Sequence, residues 1–226
     1  MPTSSLQEGL KEQTAGYPVV LKLEGRRCLV VGGGVVAERK ILSLLGSGAE
    51  VRVVSRDFTP SLARLAEEGA VSCRRGEYRR ADLAGVFLAV GATDCRETNR
   101  RLARDCRKRN ILVNIVDDPE LCSFYVPAVL SRGSLMIAVS TGGKSPLLAR
   151  LVKEELGERY GPGYAGFTDL LGEIREKALR LIADGGERQA FFASLLDEET
   201  MNLLRKGLVG EARERVLQKC LLRLSG

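Results

Sequence analysis

The residues with the clearest chemistry are Gly32, Gly33 and Gly34, followed by Val35, Val36 and Ala37. They form a G-x-G-x-x-A spacing directly after the apolar run Cys28–Val31. In this pattern Gly32 permits a tight turn, Gly34 lets a pyrophosphate approach the backbone, and the small Ala37 lets a helix pack on the sheet. The first amides of that helix then face the phosphates. The spacing alone is a weak signal; its place between a buried strand and a patterned helix makes it a dinucleotide site. At the end of the next strand stand Ser55, Arg56 and Asp57. Arg56 suits a 2′-phosphate and Asp57 suits free ribose hydroxyls, so these residues leave NAD and NADP both open.

Acid–base chemistry is narrowed by one count: the chain has no histidine. Histidine-based triads and HExxH zinc sites are excluded, and proton transfer falls to carboxylates. Among the carboxylates, Asp117 lies just past the strand-like run Ile111–Val116, at the end of the sheet where open α/β folds bind their ligands. The plain alternative is that Asp117-Asp118-Pro119 is only a turn; Asp118 reads as the turn former. None of the six cysteines forms a CxxC pair, so no metal site is assigned and reduced thiols in the cytoplasm are expected.

Two other features resemble sites without being convincing ones. Ala138–Ser145 nearly spells a P-loop, but Ala138 replaces its first glycine and Pro146 removes an amide from the opening turn. That argues for a polar strand-to-helix loop, with Lys144 still available to an anion. The basic runs Arg74–Arg80 and Arg96–Arg109 invite a nucleic-acid reading. Aromatic residues are only 5%, tryptophan is absent and the net charge is +6, so a solvated face, or attraction of a small polyanion, is the better account.

The elements around these residues alternate strand and helix. Val19–Leu23, Cys28–Val31, Val51–Val54, Val86–Val90, Ile111–Val116 and Leu135–Val139 read as strands. Helices are expected over Val36–Leu45, from Pro60 behind a Thr59 cap, and from an Asp94/Glu97 capping box to about Asn110. This predicts an α/β class: a doubly wound, Rossmann-like parallel sheet. Ser145-Pro146 opens a helix with Leu147, Leu148, Leu151, Val152 and Leu156 on one face; the glycines of Gly157–Gly166 suggest a linker. Apolar stripes at Leu170, Leu171, Ile174, Ala178 and Leu181, and at Leu217, Cys220, Leu221 and Leu224, predict an all-helical tail. At 226 residues, 44% of them hydrophobic, the chain can bury a core. No apolar run approaches the roughly 18–20 residues of a membrane span, and the polar start Met1–Pro18 reads as a loose leader.

Taken together, several segments resemble the precorrin-2 dehydrogenases, the N-terminal part of siroheme synthases. They are Gly25–Lys40, Ala92-Thr93-Asp94, Asn114–Ala128 and Val139–Arg150, in family order over about residues 17–160. The resemblance implies NAD-dependent oxidation of precorrin-2 to sirohydrochlorin in siroheme biosynthesis, possession by some members of ferrous-iron insertion, and a stand-alone form without a methyltransferase domain. It implies Asp117 as the essential aspartate, serving either reaction, and cofactor contacts at Gly32, Gly33, Gly34, Val35, Val36, Arg56, Asp57 and Thr93. Asn114, Thr141 and Lys144 are expected to meet the substrate, whose carboxylates also suit Arg132. The expected division is an NAD-binding domain at 1–125, a dimerisation region at 126–160 and a helical domain at 161–226. A homodimer is expected, without a nucleic-acid or membrane partner. The competing functions are an NAD(P) oxidoreductase for another small anionic metabolite and a dinucleotide-sensing, nucleic-acid-binding module.

Overall fold

A computed structural model describes residues 16–224, so the leader expected at the start lies almost wholly outside the described residues. The chain divides into two compact units, Met1–Val126 and Pro127–Gly226.

The first unit is built on five parallel strands: β1 (Arg27–Val31), β2 (Glu50–Ser55), β3 (Val71–Arg75), β4 (Leu88–Gly91) and β5 (Leu112–Ile115). Their spatial order is β3-β2-β1-β4-β5, with Cys28 paired to both Val51 and Leu88. Strand order therefore reverses beside β1, which places the ligand crevice at its carboxyl end. The apolar run in β1 is buried on both faces, as a central parallel strand must be. Cys28 and Val30 join Ala37, Ile41 and Leu62 in one core, and Leu29 and Val31 join Leu102, Cys106 and Val113 in the other. The helices supplying those partners are α1 (Val35–Leu45), α2 (Pro60–Glu67) and α3 (Arg96–Arg107). Thr59 caps α2 as expected, its Oγ1 accepting the Leu62 amide at 3.2 Å.

Several expectations are corrected here. Val19–Leu23 is not a strand; Leu21 and Leu23 pack on the first core while the sheet ends at β3 and β5. Helix α3 starts one residue late, with Cys95 at its N-cap and no side-chain cap bond. That shift moves Glu97 off the position from which a capping box closes. Strand β3, hidden in a polar stretch, was not anticipated; only Val71 of it is fully buried.

The basic run that follows β3 is not simply a solvated face. Arg74 grips Asp82 through two bonds of 2.9 and 2.6 Å. Tyr78 donates its hydroxyl to Asp105 at 3.2 Å, Arg80 donates to the same carboxylate at 3.1 Å, and Arg101 donates to the Tyr78 carbonyl. Both aspartates are buried. Asp105→Ala strands the buried Tyr78 hydroxyl, so we expect about 1–3 kcal/mol of lost stability, read as a lower urea midpoint.

The second unit opens with an antiparallel hairpin of β6 (Ala128–Arg132) and β7 (Leu135–Val139). The strand expected at Leu135–Val139 thus exists but pairs only with β6 and is not a strand of the parallel sheet. Helix α4 (Pro146–Arg159) begins at Ser145, whose hydroxyl accepts the Leu148 amide. The expected linker shrinks to residues 160–163, because α5 (Tyr164–Leu181) starts early and Gly157 remains in α4. There Leu130 and Arg132 of the hairpin lie 3.7 and 3.8 Å from where a Cβ would sit, ordinary contact distances. Helices α6 (Gly185–Leu195), α7 (Glu198–Arg205) and α8 (Val209–Leu224) close around a core that includes Phe167, Ile174, Phe191 and Leu204. On α8 the buried stripe is Ala212, Val216 and Cys220, while Leu217 and Leu221 are exposed; the expected stripe was rotated. Leu181 is likewise exposed.

Asp197 ties α7 to α8: it caps α7 through the Thr200 amide and accepts from Arg215 at 2.8 Å and Lys219 at 2.7 Å. The bond from Arg215, followed by that from Lys219, holds its carboxyl well below the ordinary 3.8. A carboxyl lowered by folding stabilises the fold above its unfolded value and loses that contribution on acidification. The thermal midpoint of this unit should therefore fall as pH drops below about 4, and Asp197→Asn should flatten that dependence.

Candidate active site

At the carboxyl end of β1 the chain turns through Gly32 at φ +128°, and the Gly32 amide donates to the Val54 carbonyl at 2.9 Å. A Cβ on Gly32 would lie 2.2 Å from the Ala92 carbonyl oxygen, and one on Gly33 2.1 Å from that of Asp57. Both positions are therefore closed to any side chain. Gly34 is different: its missing Cβ faces open space, and it is the N-cap of α1. Backbone pinned on one side and bare on the other, at a helix N-terminus, is what a pyrophosphate needs.

The loop after β2 closes against this turn. The Thr59 amide donates to the Gly33 carbonyl at 3.0 Å, and its hydroxyl donates to Glu38 of the first turn of α1 at 2.6 Å. The loop after β4 is shaped by buried Asn99, whose side-chain amide donates to the Thr93 carbonyl at 2.9 Å. Between these loops lies a cleft of about 630 Å³. It collects every cofactor residue expected from the sequence: Gly32, Gly33, Gly34, Val35, Val36, Arg56, Asp57 and Thr93. A cleft of this size fits a cofactor, and the bare Gly34 leaves the room that the phosphates require.

Sequence reading missed the lining contributed by Glu77, Tyr78 and Cys95. Glu77 and Tyr78 follow the unanticipated β3, so nothing assigned them to this edge. Glu77 accepts from Arg56 at 2.6 Å, and this pairing lowers the carboxyl and raises the guanidinium. Cys95 is exposed, and the Thr98 hydroxyl beside it lowers its thiol.

Asp117 sits one residue beyond Val116, which follows β5 and whose amide donates to the carbonyl of Gly91 at the end of β4. It is exposed and adopts φ +60°, a left-handed conformation that non-glycine residues seldom take. The turn is held from below by Cys122: its sulfur accepts the Ile115 amide at 3.1 Å and donates to the Ile115 and Asp118 carbonyls at 3.3 Å. Cys122 is thus a hydrogen-bonding brace rather than a plain apolar filler. Asn114 is buried, with its amide donating to the Phe124 carbonyl at 3.1 Å; the structure does not bring it to the cleft. Thr141 and Lys144 belong to the second unit. The Thr141 hydroxyl accepts the Ser145 amide at 3.0 Å and donates to its carbonyl, and Lys144 is exposed. Arg132 donates to the Tyr160 carbonyl at 2.8 Å, which makes it a brace within its own unit. Among the described residues, no three of His, Cys, Asp and Glu converge as a metal site, and no helix is long and apolar enough to cross a membrane.

A glycine turn at the switch point of a parallel sheet, with a cleft along it, defines a dinucleotide-binding α/β domain. Residues 19–128 match the family profile described as NAD(P)-binding, and residues 132–159 match one described as sirohaem biosynthesis protein, central. The solved structure of SirC, precorrin-2 dehydrogenase, is 32% identical with a TM-score of 0.75, covering 91% of this chain and 98% of that one. Siroheme synthases of Methylobacillus flagellatus and Chromobacterium violaceum are 37% and 39% identical over 86% and 87% of this chain. The chain spans only 40% and 42% of those two proteins' own lengths. It belongs to the precorrin-2 dehydrogenase family that SirC represents.

Proposed function

We propose that the chain oxidises precorrin-2 to sirohydrochlorin with NAD⁺ as the acceptor, in siroheme biosynthesis. The observation that carries this reading is Asp117, set in a left-handed turn at the same sheet edge as the dinucleotide cleft. The turn holds this carboxylate exposed at the carboxyl end of the sheet, where open α/β folds bind their ligands. Gly32, Gly33 and Gly34 receive the pyrophosphate, Arg56 and Asp57 flank the ribose, and Val35, Val36 and Thr93 line the remaining wall. The bound nicotinamide supplies the hydride acceptor. Asp117 takes the proton that leaves the macrocycle and returns it to solvent, so each oxidation releases one hydride equivalent and one proton. Lys144, with Thr141 in the same loop, is proposed to meet substrate carboxylates, while Asn114 supports the strand that carries Asp117. Asp117 is also the proposed acceptor for pyrrole protons when ferrous iron enters the product.

A homodimer is part of this reading. Leu147, Leu148 and Leu151 of α4 are each about half exposed, and so is Met136 on the outward hairpin face. The apolar face expected for that helix is thus left without cover in one copy, and only Ala149 of α4 is fully buried. The six free cysteines suit the reducing cytoplasm. The decisive experiment is anaerobic incubation with enzymatically generated precorrin-2, following NADH and the sirohydrochlorin spectrum. Turnover with NAD⁺ supports the reading. Bound NAD⁺ without turnover would redirect it to another anionic substrate. Adding ferrous iron to sirohydrochlorin in the same vessel tests insertion.

A further inference from the structure

The cofactor cleft contains an ion pair that its glycine turn does not require. Arg56, at the end of β2, is the cation best placed to recognise a 2′-phosphate on the adenosine ribose. Its guanidinium is committed to Glu77, at 2.6 Å, from the loop after β3. Both side chains are largely exposed, at 76% and 67%, and both line the cleft.

The backbone brings Glu77 there by construction. Gly76 takes φ +130°, and its amide donates to the Ser55 carbonyl at 2.8 Å, so the β3 loop is stitched to the end of β2. Arg74 reinforces this by donating to the Glu77 carbonyl at 2.8 Å while holding Asp82. On the other side, the Gly33 carbonyl is bonded to Thr59, which fixes the Arg56–Asp57 loop against the phosphate turn. This side of the cleft is therefore lined by one guanidinium and two carboxylates, Asp57 and Glu77.

We propose that Glu77 is a specificity-determining residue that makes the cleft select a dinucleotide without a 2′-phosphate. It does so in two ways. It occupies the guanidinium that a phosphate would use, and it adds a negative charge where that phosphate would lie. Free ribose hydroxyls carry no charge and meet no such penalty, and Asp57 is the carboxylate left to accept from them. The usual device is an acidic residue at the end of β2; here a second acid, Glu77, arrives from the loop after β3 and engages Arg56. The inference rests on the dehydrogenase reading only in that a nicotinamide dinucleotide is the ligand.

The test is direct binding of NAD⁺ and NADP⁺ by titration calorimetry, with turnover of precorrin-2 measured in parallel. Wild type should favour NAD⁺. Glu77→Gln should tighten NADP⁺ at least tenfold and leave NAD⁺ within about threefold. Arg56→Ala in the Glu77→Gln background should remove most of the gain, leaving only the part that comes from relieved repulsion. An unchanged NAD⁺/NADP⁺ ratio in Glu77→Gln, or a gain undiminished by loss of Arg56, overturns the proposal while leaving the dehydrogenase reading standing. A wild type that binds neither dinucleotide overturns both. Because Glu77 is exposed and its partner is the exposed Arg56, the circular dichroism of Glu77→Gln should match wild type.

Discussion

Asp117→Asn should lower precorrin-2 turnover by about 100- to 10,000-fold, the usual contribution of a positioned general base. NAD⁺ affinity should stay within about threefold, because Asp117 does not line the cofactor cleft. Asparagine is the informative replacement. The residue sits at φ +60°, and asparagine enters that region more readily than most side chains. Alanine would add about 1–2 kcal/mol of backbone strain and mix structure with chemistry. Calorimetry and single-turnover kinetics on the same preparation separate the two effects. An asparagine variant that keeps more than half of the wild-type rate removes Asp117 from the chemistry and returns the segment to being a turn. Asp118→Asn, one residue on, should leave the rate nearly unchanged.

The second large effect is expected within the glycine turn, where three adjacent glycines should fail in two different ways. Gly34→Ala adds a methyl group into open space. The protein should fold with a melting temperature close to wild type, yet lose at least tenfold in NAD⁺ affinity, because that space is where phosphate meets backbone. Gly32→Ala and Gly33→Ala drive a methyl group to 2.2 and 2.1 Å from carbonyl oxygens of the neighbouring loops. Those loops carry Thr93 and Asp57, so both variants should lose thermal stability along with binding. Thermal melts and calorimetry on all three variants check this division. A Gly34→Ala protein that binds NAD⁺ normally would place the phosphates elsewhere in the cleft.

The contrast between those glycines marks the boundary between what local sequence encodes and what it does not. The order strand, glycine turn, helix was legible because each part depends on neighbours in sequence: an apolar run, small residues at set spacing, Ala37, Ile41 and Leu44 on one helical face. The parallel class followed from alternation of such units, and the caps at Thr59 and Ser145 from the hydroxyl before a proline. The same locality explains the failures. The Asp94/Glu97 pattern is a sound cap signal, but a helix that starts one residue later voids it. Val19–Leu23 is apolar and strand-like in composition, and whether a strand forms depends on finding an edge to pair with. Leu147, Leu148 and Leu151 have helical spacing, which specifies a face without saying what covers it.

Within the cleft, residue types near the phosphates could be read directly, since Gly32–Val36 and the end of β2 are close in sequence to the strand that sets them. The Arg56–Glu77 pair could not, being 21 residues apart and joined only through the β2–β3 register. The same holds for Cys122 beneath the Asp117 turn and for Asp105, which receives both Tyr78 and Arg80. Sequence by itself determined the fold class and the glycine turn after the first strand, because short-range sterics and hydrophobic period suffice for them. Tertiary structure alone decided which charges neutralise one another, because an ion pair depends on distance in space and the chain brings those partners together only when the sheet is assembled.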